Sequence, residues 1–190
     1  MSDHILELPL IEPETTADAT RTLFDTAQTM FGITPNLAKV LAHSPAAMRG
    51  YLALAGSLRG DSALEAATRT RVGLLLAQEH RCDYVLSAHS FLASRVAGLS
   101  EDAVADARFG TASDPKQAAI LAWAMALVRR GGAVTDQELA AARAMLSVAE
   151  LVDVVAEIAL GVFDSYLSLA GRVPIDWPRV RHTDPAGEQR

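Results

Sequence analysis

Glu79-His80-Arg81-Cys82-Asp83-Tyr84-Val85-Leu86-Ser87-Ala88-His89 is the stretch on which the reading of this chain turns. It carries the only cysteine, Cys82, and sets His89 seven residues further on. Seven residues are two turns of helix, so the spacing predicts a thiol and an imidazole along one helical face. A thiol is a weak nucleophile until its proton is removed or its pKa lowered, and a nearby histidine does both. Three residues after Cys82, where a two-cysteine redox motif has its second thiol, stands Val85.

Working outward, the sequence reads as helix on both sides. Upstream, Leu64 to Leu76 is amphipathic, and Ser62 with Glu65 forms a capping-box pattern ahead of a helix over Ala63–Gln78. Downstream, a second helix begins near Cys82, with Tyr84, Ala88, Phe91 and Leu92 as its apolar stripe. Thr15 is a candidate cap for a helix over Thr16–Met30, and Thr34-Pro35 and Ser44-Pro45 each set a hydroxyl before a first-turn proline. Ser100 precedes a helix over Glu101–Arg108. Asp114-Pro115 opens a longer one that Gly131-Gly132 closes. Thr135/Glu138 and Ser147/Glu150 are two further capping boxes. The last helix, Val148 to Ala170, shows a stripe of Leu151, Val154, Val155, Ile158, Val162 and Tyr166 and ends at Gly171. Strand signals are nearly absent, so the expectation is an all-α domain over residues 1–178, followed by a polar, mobile tail over 179–190.

Composition narrows the function. A chain of 190 residues, half of them hydrophobic, fits one globular domain. A net charge of -6 with scattered arginines argues against nucleic-acid binding. One cysteine excludes a disulfide framework, and no spacing of His, Cys or acidic residues around Cys82 matches a zinc site. The start, Met1 to Glu7, shows no signal-peptide pattern, and Glu157 and Asp164 interrupt the most apolar run. These features point to a cytoplasmic protein with no membrane span, cofactor or metal.

The segment around Cys82 resembles the carboxymuconolactone decarboxylase family, in its branch similar to the alkylhydroperoxidase AhpD. Cys82, Tyr84, Ala88 and His89 stand where that family has the first cysteine, tyrosine, alanine and histidine of its motif. Phe31-Gly32-Ile33-Thr34-Pro35-Asn36, Leu41-Ala42-His43-Ser44-Pro45 and the closing Pro174-Ile175-Asp176-Trp177 follow in matching order. The resemblance implies an all-α AhpD-like domain that assembles as a homo-oligomer, as a trimer or hexamer.

It also implies thiol-dependent peroxide reduction, in which a glutamate, two cysteines and the histidine cooperate. Here the glutamate position is Thr70 and the attacking-cysteine position is Val85. Cys82, the resolving type, and His89, the proton relay, are retained, with Glu79 as a candidate replacement acid. A one-cysteine cycle needs an external thiol reductant or a partner subunit's cysteine. Two alternatives stand beside it. One is a lyase or isomerase acting on a small carboxylated or lactone substrate, with Arg69, Arg71 or Arg81 as cation and His89 as acid–base. The other is a catalytically inactive helical oligomer, in which Cys82 is a small buried hydrophobe and His89 a core histidine.

Overall fold

The structure, a computed structural model, describes residues 7–183. Among them, a short 3-10 turn at Pro13–Thr15 precedes α1 (Asp18–Phe31), α2 (Asn36–Leu41), α3 (Pro45–Asp61), α4 (Ala66–Glu79) and α5 (Asp83–Arg95). Then come α6 (Glu101–Arg108), α7 (Pro115–Arg130), α8 (Asp136–Met145) and α9 (Val148–Ala170). The architecture is all-helical, as expected.

The centre is α4. Val72 to Gln78 are buried without interruption, and Leu74, Leu75 and Leu76 are sealed off completely. A stretch apolar all round, such as residues 72–77, must be enclosed, and α5, α6, α7 and α9 pack around this helix. The chain reverses from α4 into α5 through a tight link in which Arg81 takes a left-handed φ of 54° and Cys82 N–H bonds to the Ala77 carbonyl at 2.9 Å. Cys82 is therefore the N-cap of α5 and stands outside its helical rotation.

Local capping explains most of the boundaries. Ser44, Ser100, Asp114, Thr135 and Ser147 each accept a first-turn backbone N–H, and the last two complete capping boxes with Glu138 and Glu150. Each such cap contributes about 1 kcal/mol. Three expected starts are corrected. Thr15 lies in the 3-10 turn and α1 begins at Asp18. Thr34 spends its hydroxyl on Gln28, leaving α2 to start at Asn36. Ser62 ends α3 and donates to Asp153 on α9 at 2.8 Å, so α4 starts at Ala66.

The face of α9 is also corrected. Leu151 and Val154 are buried as expected, but Val155 and Tyr166 point outward, and the interior side continues through Gly161, Ser165 and Ser168. Small residues let α9 approach closely; at Gly161 a Cβ would press on the Leu76 side chain of α4.

Residues after α9 close the domain. Asp176 accepts the Asn36 N–H at 2.5 Å, and Asn36 donates to the Pro174 carbonyl at 3.0 Å. Thus Pro35-Asn36 and Pro174-Ile175-Asp176-Trp177, distant in sequence, meet at one corner. The first part of the expected tail, residues 180–183, is hydrogen-bonded to the domain. His182 bonds to Asp83 through its backbone N–H and Nδ1, the Ser87 hydroxyl accepts the Val180 N–H, and Gln78 donates to the Thr183 carbonyl. Arg108 adds bonds to Gln78 and to the Arg181 carbonyl. The remainder of the expected tail, 184–190, lies outside the described residues. No helix among the described residues is long and apolar enough to cross a membrane.

Candidate functional site

A cavity of about 450 Å³ opens between α3, α4, α5 and α9, roofed by Phe31, Pro35 and Trp177. Its walls are mostly apolar and aromatic, with Tyr51, Tyr84, Leu92 and Leu160 among them. Val85 and Thr70, the two departures from the redox motif, both line it. Besides Thr70 and the Tyr84 phenol, the polar groups that line it include His89 from α5, Arg69 from α4, Tyr51 and Arg59 from α3, and Glu157 and Asp164 from α9.

Of the three expected site residues, only His89 lines this cavity. Cys82 is 1% exposed and forms part of the core. The backbone N–H groups of Val85 and Tyr84 face its sulfur and favour thiolate, but burial outweighs them and pushes the thiol pKa up. The thiolate-favouring effect of a position at the start of α5 is thereby cancelled. The shared face of Cys82 and His89 is not realised either, because the Arg81 turn leaves Cys82 at the cap. Glu79 is held at the surface by a two-pronged bond from Arg129, at 2.9 and 3.1 Å, and does not reach the cavity. Among the described residues no group of His, Cys, Asp and Glu is arranged to hold a metal. A consequence is testable. Iodoacetamide at pH 7.5 should modify folded Cys82 at least about a hundredfold more slowly than unfolded chain, since both burial and thiol protonation oppose it. Alkylation as fast as that of a free thiol would contradict this placement.

His89 rests against Gly73, where a Cβ would land on the imidazole ring. Burial lowers its pKa to about 4, so it is neutral at pH 7, and its Nδ1 has no partner among the described residues. Asp164 is raised to about 7, mainly by burial, with a Tyr51 hydrogen bond opposing and Glu157 adding to the rise. Its Oδ1 is likewise buried without a partner. Burial, together with the Asp164 carboxylate, holds the Tyr51 phenol well above its usual range. Glu157 is also pushed up to about 7 by burial, against the pull of Arg69. Arg69 reaches Glu157 through Nε at 3.3 Å and donates from Nη1 to the Leu64 carbonyl at 2.6 Å. Arg71 and Arg81, the other expected cations, do not line the cavity.

Buried groups with unmatched hydrogen-bonding capacity and carboxyls poised near neutrality are the ordinary equipment of a proton-transfer site. The carboxyls were within reach of sequence reasoning. Glu157 and Asp164 lie seven apart in the most apolar part of α9, which sets them on one face, and an acid inside such a run is either exposed or functional.

Neither a family model nor a curated relative matches the sequence. The fold, by contrast, matches solved structures over nearly its whole length. A peroxidase-related protein from Ralstonia eutropha JMP134 with an alkylhydroperoxidase AhpD core superposes with a TM-score of 0.78 at 21% identity, over 91% of this chain and 94% of that one. A peroxidase-related protein from Silicibacter sp. TM1040 gives 0.76 at 19%, over 89% and 90%. The debrominase Bmp8 gives 0.77 at 18%, over 92% and 94%, and a cysteine-to-alanine form of it in complex with 2,3,4-tribromopyrrole superposes equally well.

Proposed function

We propose, with the AhpD-like, carboxymuconolactone decarboxylase-type fold as premise, that this protein is an acid–base enzyme acting on a small, largely apolar molecule held in the cavity. Asp164 takes a proton from the substrate and returns it at another position, as in an isomerase or lyase. His89, neutral at working pH, offers a hydrogen bond to the charge that develops between the two transfers. The observation that carries this reading is the pair of buried, unpartnered atoms, Asp164 Oδ1 and His89 Nδ1, on a cavity that excludes Cys82. A carboxyl with a pKa of about 7 is half ionised at neutral pH, so it serves as base and then as acid without a large energetic mismatch.

The test is hydrogen exchange. A panel of small lactones and keto acids in D₂O, followed by NMR, should include compounds whose C–H exchanges with the protein present. Cys82→Ala should keep that rate within about twofold, as expected for a group outside the transferring pair. Exchange that vanishes in Cys82→Ala would overturn the reading.

A second reading is thiol-dependent peroxide reduction, with Cys82 as the reacting thiol, His89 as proton relay and an external thiol as reductant. Two features favour it: the backbone N–H groups directed at the Cys82 sulfur, and the likeness to peroxidase-related proteins. It requires Cys82 to become exposed during turnover. A homo-oligomer belongs to either reading, and the outward apolar side chains Val148, Val152, Val155 and Tyr166 on α9 are the surface it would cover. A cytoplasmic setting is likewise part of the proposal.

A further inference from the structure

Arg69 is the cation best placed to receive a negatively charged ligand, yet it already has an occupant. Its Nε faces Glu157 at 3.3 Å, and both side chains are mostly buried, 16% and 13% exposed. The pair is a loose one: Nε stands 3.3 Å from the carboxylate, longer than the charge-assisted bonds a guanidinium and a carboxylate make when matched. Glu157 also shares α9 with Asp153 and Asp164, so it sits between two other acids, and among the described residues the cations that act on it are Arg69 and the more exposed Arg59. The other titratable groups on the cavity, Tyr51, Tyr84 and His89, are uncharged near neutrality, the two phenols pushed up and the imidazole pushed down by burial.

We propose that an incoming small organic carboxylate displaces Glu157 from Arg69, and that Glu157 takes up one proton as it is displaced. The acid–base reading of the cavity underlies this inference, which adds the ligand class and its coupling to pH. The charge balance is simple. One negative charge enters with the ligand, one proton enters from solvent onto Glu157, and the net charge of the cavity is unchanged. Between walls this apolar a charge is best tolerated when it is paired, so exchanging one anion for another costs far less than adding a second. The apolar and aromatic walls then hold the remainder of the ligand. Glu157 acts as a built-in competitor, strongest when ionised. Since its pKa is about 7, affinity for the anion should fall as pH rises above that value.

The probes are benzoate and its neutral counterpart benzyl alcohol, titrated calorimetrically into the full chain in two buffers of different ionisation enthalpy. Near pH 8, benzoate binding should take up close to one proton, and above pH 7 its Kd should rise by about tenfold per pH unit. In Glu157→Gln the slope should flatten and affinity at pH 8.5 should improve by about tenfold or more, whereas Asp164→Asn should keep the slope. Arg69→Met should lose benzoate but keep benzyl alcohol. The proton count on the unaltered protein decides the matter even if a variant fails to fold.

Benzoate binding without proton uptake, or a slope lost in Asp164→Asn instead of Glu157→Gln, would overturn the proposal. So would equal affinity for benzyl alcohol, or no benzoate binding at all. None of these outcomes touches the C–H exchange measurement, which judges the acid–base reading separately.

Discussion

Asp164→Asn is expected to stabilise the protein at pH 8 and to slow turnover in the cavity by about a hundredfold or more, the usual worth of a general base. Both effects have one origin. In the folded state the Asp164 pKa is raised from 3.8 to about 7, so folding favours the protonated carboxyl. Between those values the unfolded chain has released its proton and the native chain still holds it. Stability therefore falls as pH rises through this window, and the full penalty is present above pH 7. At 1.36 kcal/mol per unit the ceiling is about 4 kcal/mol, which water reaching the cavity reduces to roughly 2–3.

Glu157 acts in the same direction over the same window. His89 acts in the other: its pKa is lowered, so its contribution is lost as pH falls from 6.5 through about 4. The two carboxyls together outweigh the single imidazole. Thermal unfolding of the unaltered protein should accordingly occur at lower temperature at pH 8 than at pH 5.5, and Asp164→Asn should narrow that gap. An identical pH response in the two proteins would mean that Asp164 is ionised and solvated like a surface acid.

Gly73→Ala carries the second large effect. The backbone of α4 approaches α5 at this point with the His89 ring lying across it, and a methyl group there would overlap three ring atoms at once. The ring must leave its position or the two helices must part, at a cost of about 1–3 kcal/mol. An imidazole driven into the cavity would regain water, and its pKa should climb from about 4 toward the ordinary 6.5. NMR titration of His89 reads this directly, alongside urea unfolding. Gly50→Ala on α3 is the control. No atom lies within 4 Å of its would-be Cβ, and helix propensity alone should make it stabilising by about 0.5–1 kcal/mol. A Gly73→Ala protein with unchanged stability and unchanged His89 titration would show that the contact is not a constraint.

Much of the fold was legible because it is encoded locally. Ser44, Ser100, Asp114, Thr135 and Ser147 cap the helix that follows them, and a residue's nearest neighbours suffice to read that. Ser62 and Thr34 misled because their hydroxyls turn away from the helix that follows, to Asp153 on α9 and back to Gln28 on α1. The inner face of α9 misled for a related reason. Apolar periodicity follows the largest side chains, whereas this helix packs through Gly161, Ser165 and Ser168 and turns Val155 and Tyr166 outward.

The site was legible in half. His89 emerged from the motif, and Arg69 from the need for a cation. Cys82 emerged as well, but one left-handed residue, Arg81, takes it off the helical face that its spacing suggested. Asp164 and Glu157 were visible as charges in an apolar helix. What no spacing conveys is that α9 lies across α4 and α5 and brings both carboxyls to the wall where Thr70 supplies none.

The hydrogen bonds made by residues 180–183 have a practical meaning for anyone handling this chain. Val180, His182 and Thr183 belong to no helix, yet they are fastened to the start of α5 and the end of α4, directly beside Cys82. This strap works as a latch on the residues that flank the one thiol, Gln78 on one side and Asp83 and Ser87 on the other. Cutting the chain after Pro178 would uncap Asp83, Ser87 and Gln78 together, so a reagent that finds Cys82 in a shortened protein would be reporting on the missing latch and not on native reactivity. For labelling, tagging or proteolytic trimming, the segment through Thr183 is an anchor to be left in place.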